Sequence, residues 1–469
     1  MLFHSPLFLT AFLPIVLGLA WLSGRRGRNV VLLLASLFFY AWGEGRMVGV
    51  LIASAGVHHL LGLVVARRGT WISHAGLAAG IAFDLGLLVL FKYANWLFGS
   101  TPDLALALRP VGALGPPIGV SFFTFQALSY LVDVHRGVVP AQRNPFKFAL
   151  YLSLFPQLIA GPIVRYADIA TQIDKRTVDA GRVADGFRRF ATGLGKKVLL
   201  AGSLAPVADH AFSLGAGDLG TGLAWLGLAC YSLQIYLDFS GYSDMAIGIG
   251  RMLGFDFLEN FLHPYSSRSV TEFWRRWHVS LSSWFRDYLY IPLGGNRKGH
   301  WRTGFNLLAV FVLCGLWHGA AWTFIFWGTW HGALLIFERV GGARLLARLP
   351  RAGQHMWLVL VVCLGWVLFR VESLDEALNY FAALAGAGAE TTPWTAAHFL
   401  NPVVAVALIA GCVASVPWVP AARHGLAKLS NPSREIRLIL VDLFLFLVLA
   451  WSLAEGLGGT STPFIYFRF

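Results

Sequence analysis

Charge is what this chain has least of. Only 13% of its 469 residues are Asp, Glu, Lys or Arg, against 57% hydrophobic residues, and the mean hydropathy is +0.63. Soluble domains carry about 25% charged residues, so the polar surface needed to coat a globule is missing. Negative charge is the scarcer sign: 24 acidic residues stand against 37 Lys and Arg, a net +13 with pI ≈ 9.8. Cysteine is scarce as well. Cys230, Cys314, Cys363 and Cys412 fall in apolar runs without paired metal-ligand spacing, which argues against a disulfide framework or a zinc site and reads as buried small hydrophobes. No basic stretch is interleaved with exposed polar sequence in the manner of a nucleic-acid module, so nucleic acid is excluded as a partner. In a chain this apolar the excess of Lys and Arg belongs to loops on the cytoplasmic side of a membrane. The lipid bilayer must supply the missing solvent.

What the chain does have is long apolar runs. The first, at 7–22, ends at Arg25, Arg26 and Arg28, with no positive charge before it and no small-residue cleavage site after it. That order is the reverse of a signal peptide and predicts a retained span with its N-terminus outside. Runs at 30–42, 47–66 and 75–98 follow; Arg67 and Arg68 return positive charge to the side of the first cluster, so the 43–46 turn is expected outside. Asp84 and Lys92 interrupt the fourth run. Further spans are expected at 146–164, 222–237, 303–317, 320–337, 355–370, 398–416 and 436–454, with apolar segments at 118–132 and 374–387. The stretch 165–197, with Arg182, Arg188, Arg189, Lys196 and Lys197 among Val, Phe and Leu, reads as an amphipathic helix on the cytoplasmic face. No soluble domain, linker or repeat is visible. The expectation is one all-α polytopic membrane domain over 1–469.

Ionisable groups at membrane depth are costly and mark candidate sites. They concentrate at 230–335. Gln234, Asp238 and Tyr242 recur every four residues and share a helix face, where Asp238 needs a partner. The face can be an internal clamp between helices or a substrate contact. Between residues 271 and 290, Arg275, His278, Ser282 and Arg286 form one stripe of a helical pattern, and Trp274, Trp277, Leu281 and Trp284 another. An interfacial helix with snorkelling arginines accounts for the tryptophans; the polar stripe through His278 would then face a protein cavity. His318, in a Leu-Trp-His-Gly unit after an apolar run, lies at or within the hydrocarbon, and Gly315 and Gly319 permit close backbone approach. A second Trp-His-Gly holds His331. A buried histidine can be a hydrogen-bonded core residue or a general base, since its pKa lies near working pH.

At these residues the chain resembles the membrane-bound O-acyltransferase family, in its bacterial branch serving envelope polysaccharides. The signatures are FWRRWHVSLSSWFRDYLYIPLGGNR at 273–297 and CGLWHGAAWTFIFWGTWHG at 314–332, with FPQLIAGPIVRY at 155–166 and YLDFSGYSDMAIG at 236–248 in support. Within that branch the likeness is to the membrane subunits of alginate O-acetylation, with cellulose and peptidoglycan O-acetylation near and teichoic-acid D-alanylation further off. The resemblance implies roughly 11–13 transmembrane or re-entrant helices around a central funnel. It also implies that His318 is catalytic and that His278 lies at the cytoplasmic side of a tunnel. At 261–265 the chain reads Phe-Leu-His-Pro-Tyr, a departure from relatives that carry Asn with Tyr or Arg before the Pro-Tyr.

On this footing the expected activity is acyl transfer from a cytoplasmic thioester, acetyl-CoA, to an acceptor reached from the opposite face of a bacterial inner membrane, with no bound cofactor. His318 would take the proton of an acceptor hydroxyl, and Asp238 or His278 would orient groups or stabilise charge. A transporter of polysaccharide or lipid and a noncatalytic scaffold are the rivals from other classes; the Trp-His-Gly signature has no counterpart in the first half of the chain, against the internal symmetry common in transporters. The tail at 463–469 ends in Phe-x-Tyr-Phe form around Tyr466. By composition it is an aromatic interface anchor. By the resemblance, Tyr466 carries the acetyl group to an external SGNH-hydrolase-like partner.

Overall fold

The computed structural model describes residues 1–98, 117–417 and 431–458. Among the described residues every regular element is a helix. Those of seven residues or more, interrupted by short π and 3₁₀ turns, are α1 (Leu13–Leu22), α2 (Gly24–Glu44), α3 (Val48–Val65), α4 (Trp71–Leu88), α5 (Val120–Arg136), α6 (Pro145–Ser153), α7 (Tyr166–Lys175), α8 (Ala180–Gly195), α9 (Gly202–Ser213), α10 (Thr221–Met252), α11 (Val270–Arg276), α12 (Val279–Phe285), α13 (Gly299–His318), α14 (Trp322–Phe337), α15 (Arg351–Arg370), α16 (Leu374–Ala382), α17 (Pro402–Ala414) and α18 (Asn431–Leu457). They form two compact units, one of residues 1–190 with 242–259 and one of 191–241 with 260–469.

Among the described residues, four stretches are long and apolar enough to cross a membrane: Gly27–Val65, Trp71–Tyr93, Arg351–Arg370 and Leu438–Leu457. The first is 39 residues and holds two crossings, because Gly45 at φ +53 ends α2 in a conformation that L-residues with a Cβ avoid. Outward faces are apolar. Ile439, Leu440, Phe444, Leu447 and Trp451 on α18 and Val403, Val406 and Ile409 on α17 are each more than half exposed, a surface suited to lipid. Cys412, expected to be buried, is exposed on that face of α17, whereas Cys230 and Cys314 are buried.

The first unit explains how a span tolerates Asp84. On α4 it meets His58 of α3, Oδ2 to Nε2 at 3.1 Å, both side chains buried. The expected span at 146–164 does not form. α6 stops at Ser153, a single turn follows over Phe155–Leu158, and the chain then runs non-helically while staying buried. Pro156, Gly161 and Pro162 are the reason: a proline lacks the N–H a helix needs, and a Cβ at Gly161 would stand 2.6 Å from the Pro156 oxygen. The freed backbone is satisfied from the side, Tyr151 donating to the carbonyls of Gln126 and Val164 and the Phe155 N–H donating to Ser36 Oγ.

The stretch 165–197 is not a single surface helix. It is two helices, α7 and α8, and its last residue is no surface cation: Lys197 lies in the π turn Lys196–Ala201, is 3% exposed and faces the protein interior. α10 is 32 residues, twice the run expected at 222–237, since Ser, Asp and Gly interrupt its hydropathy without interrupting the helix.

Candidate active site

In the second unit α13 and α14 pack with their backbones almost in contact. A Cβ at Gly315 would run into the Phe324 carbonyl, and one at Gly328 into the Phe311 carbonyl. Small residues at both crossings let the helices approach this closely. α13 ends on His318, because Gly319 turns to extended backbone at φ −162. The His318 ring is 5% exposed and enclosed edge-on by Trp317 at 4.9 Å, Trp327 of α14 at 5.2 Å and Phe369 of α15 at 5.0 Å.

The polar stripe expected between 271 and 290 is not one helix face. α11 ends at Arg276 and α12 begins at Val279, with His278 between them in the left-handed region at φ 44, ψ 55. A histidine held there costs about 1–3 kcal/mol and persists only where the surroundings over-determine it. Two backbone bonds to the segment before the Pro-Tyr make the break: Val279 N–H donates to Asn260 O and Leu262 N–H to Arg276 O, each 2.9 Å. His278 therefore turns inward to 1% exposure, while Arg275 and Arg286 stay outside and Ser282 is spent on the Trp277 carbonyl. The imidazole stands edge-on to Phe239 at 4.7 Å and 6.5 Å from Trp317. Burial holds its pKa well below the ordinary value, so the ring is neutral at pH 7. His278 and His318 thus share one wall, the Trp317 indole.

His331 lies on the other side of Trp327, 5.1 Å from that ring and 5.0 Å from Trp274, fully buried, with neither nitrogen hydrogen-bonded among the described residues. Asp238 has its partner: Lys197 Nζ at 2.5 Å, both side chains buried. A buried ion pair gains little net stability, but removing either partner strands the other charge. Gln234, one turn earlier on α10, is buried with Oε1 unbonded among the described residues. Tyr242 belongs to the first unit, its ring stacked on Phe3 at 4.7 Å. Tyr466 lies outside the described residues. No group of three His, Cys, Asp or Glu able to hold a metal occurs among the described residues.

Two residues outside the expected polar stripes support the site. Glu338, buried just after α14, accepts from the N–H groups of Val270 and Thr271 and from the Thr271 hydroxyl at 2.6–2.9 Å, fixing the start of α11. Tyr265 donates to the Ser232 carbonyl and accepts from Trp366 Nε1, fastening the Pro-Tyr turn to α10 and α15. His263, within the departure at 261–265, is left-handed at φ 52. His278 and His318 are thus both buried among aromatic rings, with Trp317 in contact with each.

A profile of the membrane-bound O-acyltransferase family matches residues 121–371, more than half of the chain. Among curated relatives, the chain is 45% identical to a probable alginate O-acetylase of Azotobacter vinelandii, over 82% of this chain and 78% of that one. It is 47% identical to a probable alginate O-acetylase of Pseudomonas putida, over 82% and 80%. It is 34% identical to a peptidoglycan O-acetyltransferase of Helicobacter pylori, again over 82% and 80%.

Proposed function

The chain belongs to the membrane-bound O-acyltransferase family, and from that premise we propose that it moves acetyl from a cytoplasmic donor for the O-acetylation of alginate. It is a multi-pass membrane O-acyltransferase; acetyl-CoA as donor, the bacterial inner membrane as location and the residue roles below are our reading. His318 is the base. It takes the proton of an acceptor hydroxyl; the oxygen attacks the thioester carbonyl; the C–S bond breaks and the departing thiolate recovers the proton from the imidazolium. His278 orients the reacting groups from the far side of Trp317. The observation that carries the reading is the placement of both imidazoles against that one indole, inside a wall of rings. The Lys197–Asp238 pair serves as an internal clamp.

Tyr466, at the C-terminal tail, is proposed as the acyl carrier. A phenol with pKa about 10 is readily deprotonated, and its ester passes acetyl onward more easily than an alkyl ester, here to a serine of an external SGNH-hydrolase-like partner. Alginate is favoured over peptidoglycan by the higher identity to the alginate relatives. The test is complementation: in an alginate-producing strain lacking its own membrane O-acetylase, this chain restores polymer acetylation, and Tyr466→Phe, which keeps the aromatic anchor, does not. Acetylated peptidoglycan with bare alginate would transfer the proposal to the other polymer. Wild-type acetylation by Tyr466→Phe would reduce the tail to an anchor.

A further inference from the structure

We propose that Asn260 is a positioning residue for His278, holding the imidazole in one tautomer and holding the turn that presents it. The inference rests on His278 belonging to the acyl-transfer site. Nothing in Arg-Arg-Trp-His-Val-Ser breaks a helix, for there is no glycine or proline at 275–280. The left-handed turn at His278 is therefore imposed from outside, and Asn260 supplies the contacts. It is completely buried, and its carbonyl accepts from the Val279 N–H. Its side chain meets the Ser280 N–H at 3.2 Å, the Ser280 hydroxyl at 2.9 Å and His278 Nδ1 at 3.1 Å, all on Oδ1.

The Ser280 N–H settles the chemistry. A backbone N–H can only donate, so the Asn260 atom facing it is the carboxamide oxygen and not the nitrogen. That oxygen can only accept. Nδ1 of His278 must then carry its hydrogen, and the ring's lone pair sits on Nε2. Groups that touch the ring include Phe239, Phe261, Asn260, Ser280 and Trp317, and His318 is the titratable group in contact with Trp317. Asn260 is thus the contact that decides which nitrogen of His278 is basic.

The test is a double-mutant cycle on the purified full chain, with acetyl-CoA as probe and CoA release as readout. Asn260→Ala lowers kcat roughly tenfold or more with donor KM little changed, and in the His278→Ala background it costs less than about twofold further, because the group it acts through is gone. Asn260→Asp keeps the shape and an oxygen acceptor, so it folds even where alanine fails to pack. Its carboxylate favours the imidazolium, so activity that needs neutral His278 is kept at neutral pH and above and is lost through an acid limb about one unit above the wild type's. Equal losses for Asn260→Ala in both backgrounds, or an Asn260→Asp profile that tracks Asn260→Ala at every pH, overturns the proposal. The two failures are distinguishable. Wild-type turnover by His278→Ala removes His278 from the site and this proposal with it; a slow His278→Ala with additive losses removes only Asn260.

Discussion

His318 ends α13 with three rings edge-on to it, while His331, one ring further on, has neither nitrogen hydrogen-bonded among the described residues. The two Trp-His-Gly units look alike in sequence, yet their histidines have different surroundings. A Cβ at Gly365 would stand 2.8 Å from His331 Nε2, so this imidazole is wedged between α14 and α15 with no room for substrate. Replacing a buried polar group that has no partner by an apolar one of similar shape is nearly neutral. His331→Phe is therefore expected to keep thermal stability and CoA release within about twofold of wild type. A loss approaching that of His318→Ala, measured on folded protein, would put His331 among the working groups. At this scale the histidines were legible from their depth in apolar runs. Asn260, Lys197 and Glu338 were not, because each acts through a partner far away in sequence: His278, Asp238 and the start of α11.

Helical elements were legible wherever apolar runs were unbroken, as for α2, α3, α13 and α15. Local pattern misleads where tertiary bonds override it. The segment 271–290 reads as one amphipathic helix, and its break at His278 depends on hydrogen bonds to residues 260–262. The span expected at 146–164 fails at Pro156, Gly161 and Pro162, punctuation that a hydropathy window averages away. The α13–α14 pair shows what glycine does in this fold. Gly315→Val would drive a side chain into the Phe324 carbonyl, backbone that cannot swing aside, so loss of folded protein in detergent thermal-shift assays is expected. Gly304, on the same helix, has its nearest neighbour at 3.9 Å, and Gly304→Ala should hold or gain up to about 1 kcal/mol from helix propensity. Equal tolerance of both changes would mean that the two helices do not pack as described.

Across the whole molecule, the apolar faces of α17 and α18 and the low share of charged residues have one account, immersion in lipid. Orientation follows from the basic clusters. We expect Arg46, at the turn before α3, outside, and Ala66, at its other end, in the cytoplasm. In a variant lacking the four native cysteines, Arg46→Cys should react with an impermeant thiol reagent in intact cells, and Ala66→Cys only after permeabilisation. The inverse pattern would exchange the donor and acceptor sides.

The most direct test of the account is CoA release from acetyl-CoA by purified protein in nanodiscs, wild type against His318→Ala. The account predicts a substituted protein that elutes and melts like wild type and releases CoA about 10²–10⁴-fold more slowly, the contribution expected of a general base. Folded His318→Ala that retains more than a few per cent of wild-type turnover would contradict it.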